Sequence, residues 1–449
     1  MSSKVSRLDN NRPPTEPKAT MLPNWDAQVA GTWRENPERM AWTILLASFI
    51  VFMVLAISIP LAISYAIRYT TVSEKAQIQP ALGTLLLYQS ATSEALAVTG
   101  PRDVVEGNMI SATIGSTQGT LKLISAEGEG EALGSIDIYA DTNLEVLHIR
   151  RPLFKRSREP YQVDLRLNKG EASIFTNTGD QRPLQVELET PHGIISLKAG
   201  NYRVSVDATQ TNITVRSGEA ILMHDTDKIS VDTGLRAWMT KEQLKQAPKA
   251  DQSLIRNGNF TALSTGNTLA ASDAWTSTVV ADNVAQGSVS FVAREGRTVA
   301  YFRRDGEDSA HTEVSIKQKI DKNVNLYNEL ILQLDVNILF QSLPGGGDVN
   351  TEFPVRIEIN YTDIYGKDLS WGHGFYYRLL DGTPPRLVDC ERVDCSKFPQ
   401  AQWQHYESPN LIETWKAKGT PAARINSIRI YASGHNYRSM VSDIDLVAK

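Results

Sequence analysis

The residues of this 449-residue chain best suited to chemistry are aromatic. Residues 363–377, DIYGKDLSWGHGFYY, gather Trp371, Phe375, Tyr376 and Tyr377 beside Gly372 and Gly374. Flat aromatic faces stack on the apolar face of a sugar ring while nearby polar groups bond its hydroxyls. Trp371, Tyr376 and Tyr377 are therefore candidate glycan contacts. Trp403, in QWQHYES, is a fourth. Strand alternation sets Trp371, Phe375 and Tyr377 on one face and Tyr376 on the other, a pattern that equally describes a strand filling a core. From sequence both readings stand.

Catalytic signatures are missing: there is no HExxH, GxSxG, P-loop or GxGxxG. The seven histidines are scattered singly, and His192 falls in a Thr190-Pro191-His192-Gly193 turn, where a structural or exposed role is expected. The acid pairs Asp443/Asp445 and Glu307/Asp308 would serve glycoside hydrolysis only if folding set two carboxyls ~5–10 Å apart across a cleft. The expectation is a chain that is not an enzyme. Its two cysteines, Cys390 and Cys395, have no other Cys or nearby His to complete a metal site, and outside a membrane they are expected to form a disulfide.

Residues 41–67 contain no charged side chain. Roughly 20 apolar residues in a helix cross a ~30 Å hydrocarbon core, so this stretch is long enough to span one with some tilt. Trp42 at one end and Tyr65 and Tyr69 at the other suit the two interfacial layers. The stretch begins too far from the N-terminus, and runs too long, for a cleaved signal peptide. Lys4, Arg7, Arg12, Lys18, Arg34 and Arg39 precede it, against Arg68 and Lys75 close behind. Positive-inside counting thus favours a cytoplasmic N-terminus in a plasma membrane, with the bulk outside. Residues 1–40, rich in proline and poor in apolar side chains, read as a disordered cytoplasmic tail, with Trp25 and Trp33 as headgroup or partner contacts.

Beyond the helix (41–68), composition is ordinary for globular protein: 41% hydrophobic and 22% charged over the whole chain, net charge −5. A mildly acidic exterior argues against a nucleic-acid partner. Residues 74–240 carry short β-branched and aromatic runs at even spacing, each ending in Gly, Asn or Asp. Tyr202, Val204 and Val206 alternate with Arg203 and Ser205, one face buried and one wet. Residues 241–253 read as a polar linker. Past it, Leu332, Leu334, Val336 and Ile338 alternate with Gln333, Asp335 and Asn337, and Val355, Ile357, Ile359 and Tyr361 with Arg356, Glu358 and Asn360, which is sandwich patterning.

The ordered series Gly107, Gly119, Thr142-Asn143-Leu144, Leu167 to Glu171, Thr190 to Gly193, Ala199 to Val204, Val215 to Glu219 and Thr233-Gly234 resembles the FecR domain. That family's Gly-Thr-aromatic strand reads Gly200-Asn201-Tyr202 here, without the Thr, and residues 1–40 lack the helical sigma-binding segment of its signalling members. The resemblance implies a β-rich envelope module; in signalling members it also implies a cytoplasmic sigma-factor-type partner. Residues 254–449 resemble galactose-binding-like jelly rolls and carbohydrate-binding modules, through Leu254 to Phe260, Trp275, the TEVSIKQKI strand and Asp443 to Leu446. This second likeness implies a structural calcium between the opening and closing strands, with Asn257, Asn259 and Asp443 as ligands; no other cofactor is expected. The fold class that emerges is an all-β exterior, a FecR-like β domain followed by a β-sandwich jelly roll, on a single N-terminal transmembrane helix. The expected function is non-catalytic binding of a glycan or an envelope protein. The alternatives are transmembrane signalling to a cytoplasmic regulator and an envelope assembly scaffold.

Overall fold

The computed structural model describes residues 37–449 apart from 90–93, 114, 116, 125–131, 177–181, 248–251, 262–273, 282–286, 307–309, 348–349 and 380–393. Trp25, Trp33, Glu307, Asp308 and Cys390 therefore lie outside the described residues. The chain divides into two units, Met1–Ile67 and Arg68–Lys449. The first contains most of a 33-residue helix, Pro37–Tyr69, which runs on through Pro60 and buries none of its side chains. It is long and apolar enough to cross a membrane.

The second unit is built of strands, as the period-2 patterning requires. Its first β region closes on itself from two sheets that share one long strand, Tyr161–Phe175. The first half of that strand lies between Asn143–Pro152 and, in parallel, Leu184–Thr190. Its second half lies between Ala132–Ile138 and Asn201–Val206. The crossing comes at Gly170, whose positive φ of 95° suits glycine and whose missing Cβ leaves room for Thr142. Leu165, Leu167, Ala172 and Ile174 from this one strand enter the same core as Tyr202, Val204 and Val206. Around the Thr190–Gly193 turn, the Thr190 hydroxyl donates to Gly193 O at 2.8 Å, and His192 is buried with Nδ1 2.9 Å from Thr211 Oγ1.

The second β region is a sandwich of two six-stranded sheets. One carries Gly287–Arg294, Arg297–Arg304, Tyr437–Ala448, Leu330–Gln341 and Gln404–Glu407 in that order, with Gln252–Ser253 off this path on Tyr437–Ala448. The other carries Thr276–Ala281, Thr312–Asn323, Ala422–Gly434, Val355–Asp363, Asp368–Tyr376 and Cys395–Lys397. Val355, Ile357, Ile359 and Tyr361 face inward as their alternation demands. A seven-residue helix, Leu411–Ala417, interrupts the all-β reading. Asn410 caps it by accepting from Ile412 N, and Leu411 and Trp415, one turn apart, enter the sandwich core. The expected linker 241–253 is partly strand: Leu244–Ala247 pairs with Arg236–Thr240, and Gln252–Ser253 with the closing strand.

The two β regions dock through a hairpin tip. Gly287–Arg294 and Arg297–Arg304 are joined by Glu295 and Gly296, both at positive φ. A Cβ on Gly296 would stand 2.6 Å from Gly134 Cα and 2.7 Å from Phe175 O, so only glycine lets the tip seat against the first region. Next to it Arg297, 3% exposed, donates to Asp137 Oδ2 at 2.8 Å in the first region and to Asp335 Oδ2 at 3.0 Å in the second. Its guanidinium carbon lies 3.6 Å from the Phe175 ring centre and 4.5 Å from that of Trp403. Asp335 and Asn337, on the face expected to meet water, are both buried, Asp335 where Tyr139 and Arg216 of the first β region approach it.

Arg297→Met keeps the bulk and removes the charge, leaving two buried carboxylates without their shared cation. We expect a loss of about 3–5 kcal/mol in denaturant unfolding of the full chain in detergent, followed by tryptophan emission. A loss under ~1 kcal/mol would show that the cation does not hold the junction.

Candidate binding site

Around Arg297 the junction is polar. Asp137 also accepts from Thr120 Oγ1 at 2.8 Å, and Asp335 from His405 Nδ1 at 2.7 Å. Glu295 pairs with Lys122 at 2.5 Å and accepts from Trp403 Nε1 at 3.0 Å. Arg203 and Arg216, from adjacent strands of the first region, both donate to Gln333 Oε1, at 3.4 and 3.0 Å. Burial opposes ionisation of Asp335, but the His405 hydrogen bond and charge, with Arg297 and Arg216, outweigh it and hold the carboxyl below its usual range. At Asp137 burial and the repulsion of Asp335 prevail over Arg297, and its pKa is raised.

Beside this network the two regions part to leave a cleft of about 610 Å³. The first region supplies Thr214, Arg216, Gly218, Thr233, Gly234 and Arg236 to one wall. The second supplies Ser253, Asn257, Gly258, Asn259, Thr261, Asp443 and Asp445 to the other. The size is that of a small-molecule site, and the lining is rich in hydrogen-bonding groups. Asp443 is buried at its inner end, where its carboxyl accepts from Asn201 Nδ2 and its backbone oxygen from Arg216 Nη1 at 3.1 Å. Burial, then the repulsion of Asp335, push its pKa up to about 7 against the pull of Arg216 and Arg297. Asp445 accepts from the Ser253 hydroxyl, and Arg236 Nε donates to Thr214 Oγ1 at 3.1 Å.

The residues singled out from sequence fall in three places. Trp371 and Tyr376 are 7% and 6% exposed and belong to the interior. The Trp371 indole donates to Asp394 Oδ2 at 3.1 Å, and Tyr377 packs on the sandwich core with its N–H on Gln341 Oε1 at 2.7 Å. Between Trp371 and Phe375, His373 is pushed down to about 4, chiefly by burial. Trp403, 5% exposed, is a junction residue stacked on Arg297. Of the residues expected to meet a sugar, Trp371, Tyr376 and Trp403 are thus packed against protein and Tyr377 is half-buried. Asn257, Asn259 and Asp443 do come together, on one wall of the cleft. As a calcium site they fit poorly. The ion takes roughly six to eight oxygens, whereas these three residues supply one carboxyl, Asn259 Oδ1 already accepts from Thr261 Oγ1 at 3.0 Å, and Asn257 O accepts from Trp275 Nε1 at 3.1 Å. Among the described residues no group of three or more His, Cys, Asp or Glu could hold a metal. Cys395 opens the strand Cys395–Lys397, while its expected partner lies outside the described residues.

The sequence reading passed over Arg216, Arg236 and Asp445 as cleft residues and Arg297 as the junction cation. Gly296 in the sequence could have marked a turn there, but nothing local says what its tip will touch.

No family model matches the chain, and no curated protein matches it. Among solved structures it is similar to a candidate anti-sigma factor from Parabacteroides distasonis (11% identity over 34% of this chain and 70% of that one, TM-score 0.23). It is also similar to the family 11 carbohydrate-binding module of a Clostridium thermocellum cellulosomal cellulase (11% identity, 41% and 92% covered, TM-score 0.23). A third is the module TmCBM61, solved with β-1,4-galactotriose (14% identity, 44% and 99% covered, TM-score 0.24). TM-scores this low leave function to be read from the chain's own residues.

Asp443 makes a signed prediction. Its folded pKa of about 7 lies above the ordinary aspartate value of 3.8, so the folded chain keeps a proton that the unfolded chain releases. The stability it contributes is present below about pH 4 and is lost as pH rises through 7. Asp443→Asn keeps the acceptor for Asn201 and does not titrate. Its melting temperature relative to the parent should therefore climb between pH 4 and pH 8; a difference that stays flat across that range would refute the assignment.

Proposed function

We propose that this chain is a membrane-anchored, non-catalytic envelope protein that binds a hydroxyl-rich ligand, an oligosaccharide, in the cleft between its two β regions. The observation that carries the reading is the cleft itself, about 610 Å³ and walled by both regions. Its guanidinium groups Arg216 and Arg236, its carboxyls Asp443 and Asp445 and its amide Asn259 offer the paired donors and acceptors that sugar hydroxyls take. Among the described residues the lining is polar and aliphatic, so the recognition they offer is by hydrogen bonds. The FecR-like order of turns in residues 74–240 and the apolar helix before them support an envelope setting, with the β regions outside and the N-terminus cytoplasmic.

The test is calorimetric titration of the full chain in nanodiscs with a panel of envelope oligosaccharide fragments. Arg236→Ala and Asn259→Ala should each weaken saturable binding by about tenfold or more, with melting unchanged. Trp371→Ala, if it folds, should not. Binding that survives both cleft variants, or none across the panel, would remove the cleft reading.

A further inference from the structure

The loop that follows the strand Asn143–Pro152 reads Leu153, Phe154, Lys155, Arg156, Ser157, Arg158, Glu159. Thr71 pairs with Pro152, so this loop starts beside the first residues after the apolar helix. Four sets of bonds hold it there. Leu153 N donates to Thr70 O at 2.8 Å, and Ser157 Oγ to Arg68 O at 3.1 Å. Arg68 and Glu159 pair at 2.6 Å. From behind, Arg182 Nη1 donates to the carbonyls of Ser157 and Glu159 at 2.6 and 2.9 Å, and its Nη2 to that of Lys155 at 3.3 Å.

These contacts turn the loop's carbonyls and its one acid toward the protein and leave a different set of groups outside. Leu153 and Phe154 are 42% and 40% exposed, and Lys155, Arg156 and Arg158 are exposed with them. Two apolar and three basic side chains on a loop fixed by its backbone form the pattern of an interfacial membrane contact: hydrocarbon enters the acyl boundary and cations pair with phosphate. Position adds an independent argument. Arg68 directly follows the uncharged stretch 41–67, so a loop bonded to Arg68 O and Thr70 O stands at headgroup depth. This holds for either orientation of the chain.

We propose that residues 153–158 form a membrane-contact site for anionic phospholipid, with Leu153 and Phe154 seated between headgroups and Lys155, Arg156 and Arg158 on their phosphates. The proposal rests on the membrane-spanning reading of residues 41–67, and its test separates the two. The full chain, carrying the photo-crosslinker p-benzoylphenylalanine in place of Phe154 or, as an anchor control, of Ile44, is placed in nanodiscs of phosphatidylcholine alone or with one-third phosphatidylglycerol. After irradiation the adduct is identified by mass. Lipid adducts at both positions support the site when yield at 154 is severalfold higher with phosphatidylglycerol and falls in the Lys155→Ala, Arg156→Ala, Arg158→Ala variant. Adducts at 44 but none at 154 overturn the site and leave the anchor standing. A yield at 154 indifferent to lipid charge and to the triple substitution overturns the anionic recognition. Lipid adducts at neither position overturn the anchor, and the site with it.

Discussion

One guanidinium set between two buried carboxyls organises the β regions of this protein. Removing Arg297, Asp137 and Asp335 from water is unfavourable for each alone. It becomes tolerable only when the hairpin tip brings the cation of one β region to the carboxyl of the other. The rings of Phe175 and Trp403 sit close on the guanidinium and exclude water from it. Such a junction is intolerant of small displacements, because a partly separated state leaves charges buried and unpaired. Docking is therefore expected to be close to all-or-none, in keeping with Arg68–Lys449 forming one compact unit.

This explains what could and could not be read from the sequence. Period-2 alternation reports which face of a strand is apolar, and the inward sets Tyr202/Val204/Val206 and Ile357/Ile359/Tyr361 are core residues in the structure. Alternation does not report what happens to the polar face. Gln333, Asp335 and Asn337 look like a wet face, yet Asp335 and Asn337 are buried, Asp335 at the junction with the first β region, whose approach is encoded some two hundred residues away. Trp403 and the Trp371 face stayed open between core and ligand for a related reason. An indole suits a ligand, a core and a junction equally, and its N–H bond to Glu295 or Asp394 fixes the outcome only once the chain is folded. Asn257, Asn259 and Asp443 were legible as neighbours because opening and closing strands meet in such sandwiches. Their chemistry was not, since the raised pKa of Asp443 comes from burial and from Asp335 across the junction.

The cleft follows from where the two regions touch and where they cannot. Contact is made at the 295–297 tip and along Arg203, Arg216 and Gln333. Beyond that line the first region presents the turns at Gly218 and Gly234, and the second presents Gly258 packed directly against the Ile444 backbone. Residues with small or absent side chains on both walls leave space between them, while the polar side chains that border it face one another.

For the proposed ligand, a cleft walled by two β regions is a site only while they stay docked, which would tie the Arg297 junction to binding through linkage. A ligand touching both walls has affinity for the docked arrangement and little for a separated one. It therefore stabilises the junction by an amount that grows with the logarithm of its concentration above Kd. The same reciprocity runs backward: any change that loosens Arg297 lowers the fraction of chains able to bind, and apparent affinity falls by that fraction with no cleft residue altered. The buried carboxyl at the inner end of the cleft adds a proton to this balance. Asp443 answers both to Arg216 on the opposite wall and to Asp335 within the junction, so its protonation couples the cleft to the contact that creates it.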